Sequence, residues 1–139
     1  LYFYPKDDTS GCTKQACAFR DHRPDFDAID VTVLGVSPDD PSSHERFAHK
    51  FDLNFTLLAD VPEKSKDAGP EDKGTPKVCD AYGVWQQKSM YGKTYMGVVR
   101  TTYLIDANGK VARRWDKVKV DGHVEEVLEA VKELKAVRA

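Results

Sequence analysis

The sequence predicts an α/β protein: a central mixed sheet flanked by helices, in one domain spanning residues 1–139. Three observations carry that expectation. Short apolar runs at 1–4, 31–36 and 55–58 alternate with helix-like segments, the pattern of strands joined by helical crossovers. Two later runs, 98–105 and 110–115, meet at Asp106-Ala107-Asn108-Gly109, and Asn-Gly is a strong hairpin signal. The chain then closes on Val124, Val127, Leu128, Val131 and Leu134, placed at helical spacing so that one face covers the sheet.

Each element follows from local chemistry. Leu1-Tyr2-Phe3-Tyr4 reads as a buried strand. A helix from Cys12 to about His22 is ended by Arg23-Pro24, because a residue before proline is pushed out of the helical region. Val31–Val36 reads as a central parallel strand. Ser42-Ser43-His44-Glu45 has the serine-to-glutamate spacing of a capping box, opening a helix to about Lys50 with Phe47 and Phe51 on one face. Phe55–Leu58 is a shorter strand. Residues 61–77 hold prolines, glycines and charges and read as a solvated loop. Val78–Tyr82 is a short helix, and Asp121 can cap the last one.

Composition narrows the function. The chain has 139 residues, 32% of them charged, and a formal net charge of −2. That balance argues against nucleic acid as a partner. No apolar run approaches the ~20 residues of a membrane-spanning helix. Three cysteines are too few for a disulfide scaffold and fit a reactive thiol in a reducing, cytoplasm-like compartment. The four histidines have no metal-ligand spacing with a cysteine, and Asp7 and Asp8 read as a solvated loop before the first helix.

The informative stretch is Pro5-Lys6-Asp7-Asp8-Thr9-Ser10-Gly11-Cys12-Thr13-Lys14-Gln15-Ala16-Cys17. It puts Cys12 where a strand and loop give way to a helix. The unpaired N–H groups and partial positive charge of a helix start favour a thiolate over a thiol. Cys17 lies five residues on. In an ideal helix that step rises about 7.5 Å and turns about 140°, leaving the Cα atoms about 8.7 Å apart. A disulfide needs less than about 7 Å. The two sulfurs therefore never bond, or the first helical turns unwind when they do.

Pro5-x-x-x-Thr9-x-x-Cys12 resembles the active-site motif of peroxiredoxins. Together with Tyr2-Phe3-Tyr4, Gly11-Cys12-Thr13, Cys17, Gly83-Val84-Trp85, Gly92–Gly97 and Arg100–Asp106, it resembles the bacterioferritin comigratory protein (PrxQ) subgroup over nearly the whole chain. Ser10 stands where the subgroup usually has proline, and residues 67–77 look longer than its usual connection. The family carries a hairpin and a short helix ahead of the point where this sequence starts. We therefore expect an upstream segment, together with any targeting peptide, to lie outside the numbered residues.

The resemblance implies a thioredoxin-like fold with no metal or organic cofactor. It assigns Cys12 as the peroxide-attacking thiol and Thr9 as a hydroxyl at the peroxide site. Pro5 shields the thiolate, and Arg100 is the cation beside it. The subgroup often uses a cysteine at the position of Cys17 to resolve the sulfenic acid; Cys79 competes, although burial is its default reading. The implied activity is reduction of hydrogen peroxide and organic hydroperoxides by a monomer, with thioredoxin or a similar dithiol as reductant. Two other classes share the features. A thiol–disulfide reductase normally carries C-x-x-C, which is absent, and a redox-sensing module would react without turnover.

Overall fold

The computed structural model describes residues 1–64, 69 and 73–138. A five-stranded mixed sheet organises the chain in the order β3-β2-β1-β6-β7. Strands β1 (Tyr2–Phe3), β2 (Leu34–Ser37) and β3 (Thr56–Ala59) are parallel neighbours; β6 (Thr101–Ile105) and β7 (Val111–Trp115) are antiparallel to their neighbours. Helices α1 (Ser10–Asp21), α2 (Arg23–Asp27), α3 (Pro41–Lys50), α4 (Lys77–Ala81) and α5 (His123–Arg138) join and cover them, and β4 (Trp85–Met90) with β5 (Lys93–Val98) forms a separate hairpin. Among the described residues no helix is long and apolar enough to cross a membrane.

The first strand divides the core. Side chains alternate across a strand, so Tyr2 and Tyr4 face one way and Phe3 the other. Tyr2 and Tyr4 join Cys12, Ala16, Phe19, Phe26, Phe47, Val124, Val127, Leu128 and Val131 in one apolar cluster. Phe3 joins Val36, Cys79, Val84, Val98 and Tyr103 in the second. Four helices thus seal one core, and α4 with the base of the hairpin seals the other. The amphipathic stripe expected of the last helix is observed, with Val124, Val127, Leu128 and Val131 buried.

Several boundaries differ from expectation. Arg23-Pro24 does not only end α1; it opens α2, because proline is tolerated in the first helical turn. The cap of α3 is Asp40, whose carboxylate accepts from Ser43 N at 2.8 Å, with Pro41 at the first position; the capping box at Ser42 is not used. Strand pairing begins at Leu34, not Val31. The run 98–105 is broken, since Val99 and Arg100 separate β5 from β6. Asp121 lies two residues before α5 and pairs with Lys14. The β4–β5 hairpin turns at Tyr91-Gly92, both at positive φ (52° and 76°), the geometry of a two-residue primed turn. The expected Asn-Gly turn is present, with Gly109 at φ 77° and the Asp106 carboxylate accepting from Asn108 N and Lys110 N. Of the expected extension at 67–77, residues 67, 68 and 70–72 lie outside the described residues; beside it Glu63 pairs with Thr75 through backbone hydrogen bonds.

Candidate active site

The site is built where α1 meets the junction of β5 and β6. Thr9 is the N-cap of α1 in extended geometry, and the first helical bond runs from Thr13 N to Thr9 O at 2.8 Å. Ser10, Gly11 and Cys12 therefore hold the first-turn N–H groups, which lack helical acceptors. Cys12 is the third helical residue and only 2% exposed.

Arg100 comes from the far end of the sequence. Its carbonyl accepts from Val118 N at 2.9 Å, fixing the backbone between the two strands. Its Nη2 lies 3.2 Å from Cys12 Sγ, and its Nη1 donates to Gln15 Oε1 at 2.5 Å. A Cβ on residue 11 would sit 3.2 Å from Nη2, so glycine there is what lets the guanidinium approach the helix start. Gln15 is fully buried, and its Nε2 finds no partner among the described residues. Sequence reasoning missed Gln15. Its spacing from Cys12 was the available signal, since residues three apart share a helix face.

This is a helix-start sulfur gripped by a guanidinium that a buried amide holds in place. The chain matches the AhpC/TSA family over residues 1–69. It is 45% identical over 133 residues to peroxiredoxin Bcp of Escherichia coli, covering 96% of this chain and 77% of that one. It is 42% identical over 134 residues to peroxiredoxin Bcp of Bacillus subtilis, covering 96% and 77%. Two solved structures share its fold closely. The Xanthomonas campestris bacterioferritin comigratory protein, studied for alkyl peroxide reduction, gives a TM-score of 0.79 at 39% identity, covering 95% of this chain and 76% of that one. Xylella fastidiosa PrxQ gives 0.82 at 38% identity, covering 97% and 76%. The chain belongs to the Bcp/PrxQ peroxiredoxins. It is a thiol-dependent peroxidase with a thioredoxin-like fold, rather than a thiol–disulfide reductase or a passive redox module.

The other expected site residues of this peroxiredoxin fall as follows. The Thr9 hydroxyl is exposed and donates to Lys6 O at 3.0 Å, closing the loop on itself. Pro5 is half-buried just past β1. Cys17 is half-buried on α1, which is continuous through both cysteines, and neither is in a disulfide. Cys79 sits in the second core at 0% exposure. Its backbone N–H donates to Asp60 Oδ2 at 2.7 Å, and burial, with Asp60 adding to it, pushes its thiol pKa well up. An apolar cavity of about 630 Å³ lined by Phe19, Phe26, Leu34, Leu104 and Val131 contains none of Pro5, Thr9, Cys12, Cys17 or Arg100.

Asp7 departs most from expectation: it is not on the solvated face of its loop. It is 7% exposed, and its carboxylate receives three donors. Tyr4 Oη donates to Oδ1 at 2.6 Å, while Ser43 Oγ and His44 Nδ1 reach Oδ2 at 2.7 Å each. His44 Nε2 lies 3.0 Å from Leu58 O. A carbonyl and a carboxylate can only accept, so both ring nitrogens donate and His44 is an imidazolium. Burial works against both charges. The bonds from His44, Tyr4 and Ser43 outweigh it and hold the Asp7 carboxyl below its usual range. The bond and charge of Asp7 likewise outweigh burial at His44 and hold its pKa above the ordinary value. Asp7, Asp39 and His44 bring ligand-type atoms within 4.8 Å of one another, but the facing atoms are engaged in these bonds.

Proposed function

We propose that Cys12 is the peroxidatic residue of this peroxidase and Cys17 its resolving partner, with residues 1–139 forming one catalytic domain. The observation that carries the reading is the 3.2 Å approach of Arg100 Nη2 to Cys12 Sγ at the head of α1. The guanidinium and the first-turn N–H groups stabilise a thiolate there. The thiolate attacks one oxygen of hydrogen peroxide or an alkyl hydroperoxide. The O–O bond breaks, the distal oxygen leaves as hydroxide or alkoxide and is protonated, and Cys12 is oxidised to a sulfenic acid. Arg100 and the N–H groups of Gly11 and Cys12 face the charge that moves along the breaking bond. Pro5 shields the thiolate from water, and the Thr9 hydroxyl, which donates to Lys6 O before substrate arrives, serves the peroxide.

Resolution requires motion. Both cysteines lie on an unbroken helix, about 8.7 Å apart by ideal geometry, beyond disulfide reach. The first turns of α1 unwind, the Cys17 thiol condenses with the sulfenic acid, water leaves, and a disulfide forms within one chain. An external dithiol of the thioredoxin type reduces it, returning both thiols. An internal resolving cysteine lets the chain work as a monomer, in a reducing compartment such as the cytoplasm, without a metal, organic cofactor, membrane or nucleic acid. A disulfide map after one equivalent of hydrogen peroxide tests the pairing: a Cys12–Cys17 bond is expected, and a bond from Cys12 to Cys79 contradicts it.

A further inference from the structure

We infer that the buried Asp7–His44 ion pair is the positioning element that holds the segment 5–9 in the geometry needed for peroxide attack on Cys12; this rests on the peroxidase reading above. Segment 5–9 carries Pro5 and Thr9 and delivers the first turn of α1. Left alone, a loop of this composition is solvated and mobile. Here it is tied from several directions. The Asp7 carboxylate is bound by Tyr4 of the same segment and by Ser43 and His44 of α3. Its backbone N–H donates to Asp39 Oδ2 at 2.8 Å, and Asp39 is itself held by Ser37 Oγ at 2.6 Å. The far ring nitrogen of His44 reaches Leu58 O on β3. The next residue, Asp8, turns the chain at φ 57°, a left-handed conformation that aspartate tolerates better than most residues, and its carboxylate pairs with Lys50 Nζ of α3 at 2.7 Å.

Structural strengthening alone does not require a buried ion pair; apolar residues of the same volume serve as well or better. A charged pair fixes direction instead, because three donors converge on one carboxylate. The placement of Thr9 and of the N–H groups at 10–12 then follows from the anchored Asp7, two residues before the cap. Shifts on the order of 1 Å at such a site can cost about a hundredfold in rate. The anchor holds the folded start of α1 and lies outside residues 12–18, so it assists oxidation of Cys12 and does not assist the unwinding that brings Cys17 in.

The test separates those two steps. In the whole chain, rapid mixing with hydrogen peroxide, alkylation quench and mass spectrometry give the second-order oxidation rate constant of Cys12 and the first-order rate constant of disulfide closure. Rates are expressed per titrated thiol, in variants with native circular dichroism. His44→Gln and Asp7→Asn are expected to slow oxidation about tenfold while closure keeps its wild-type rate or quickens. Oxidation within threefold of wild type in either variant overturns the assignment. So does closure that slows in step with oxidation, since that marks general damage. If both variants fail to fold, Ser43→Ala removes one donor to Asp7. It is expected to slow oxidation about threefold, and an unchanged rate constant overturns the assignment. Inertness of the wild-type chain toward peroxide would instead defeat the peroxidase reading itself.

Discussion

Cys12 and Cys79 occupy the same position in two helices. Each is the third residue, Cys12 of α1 after its Thr9 cap and Cys79 of α4 after Pro76. Each is buried, at 2% and 0% exposure. What differs is the charge in front of the helix. Cys12 faces the Arg100 guanidinium, whereas the Asp60 carboxylate lies at the start of α4 and takes the N–H groups of Val78 and Cys79 at 3.2 and 2.7 Å. One helix start is left open to an incoming anion beside a cation. The other is already occupied by an anion, and the thiol behind it is held in its neutral form. A helix N-terminus is therefore a permissive feature; on the proposed reading, the counter-charge decides whether a cysteine there reacts or packs.

The comparison can be broken most sharply by exchanging serine for each sulfur. Cys12→Ser is expected to lower peroxide consumption in a thioredoxin-coupled assay by at least about a thousandfold, while Cys79→Ser stays within about twofold of wild type. Equal losses would erase the distinction. Removing the cation comes next. Arg100→Met should lower the second-order oxidation rate constant by about a hundredfold or more, measured by stopped flow. Gln15→Leu, which frees Nη1 and leaves the charge, should cost about tenfold in the same measurement.

On the other helix, Asp60→Ala uncaps α4. We expect a loss of about 1–2 kcal/mol in denaturant unfolding, together with faster alkylation of Cys79. Unchanged stability would mean that the carboxylate does not satisfy those N–H groups.

The smallest effect is pH-dependent. The Asp7 pKa is depressed below 3.8, so its contribution to stability is present above that value and lost as pH falls through the folded pKa. The His44 pKa is raised above 6.5, so its contribution is complete below that value and lost as pH rises through the folded pKa. Asp39 and Tyr4, which face the pair, are unchanged in the variant. The difference in thermal stability between wild type and His44→Gln should therefore be largest from about pH 4 to 6.5 and shrink on either side.

Much of this was legible in residues 1–17. The strand–loop–helix order, a cysteine at the helix start and the clash between a five-residue spacing and disulfide geometry all follow from local rules. Arg100 was legible only through its motif. Nothing within its neighbourhood in sequence indicates that it sits at a break between two strands facing a sulfur 88 residues away. Gln15 was within reach, because helical periodicity puts it on the face of Cys12. Asp7 was not. Two adjacent aspartates in a polar loop look alike, and only the placement of Ser43 and His44 by α3 decides which one turns inward. The β4–β5 hairpin was hidden because Gln86, Gln87, Lys88 and Ser89 give no apolar alternation and Tyr91-Gly92 is a weak turn signal. Tertiary pairing overrode propensity there.

The central claim is that peroxide oxidises the sulfur facing Arg100. It is tested most directly in Cys17→Ser protein exposed to one equivalent of hydrogen peroxide with a 1,3-dicarbonyl trap for sulfenic acids, followed by peptide mass spectrometry. The account predicts a single adduct on Cys12; an adduct on Cys79, or none on Cys12 while peroxide is consumed, contradicts it.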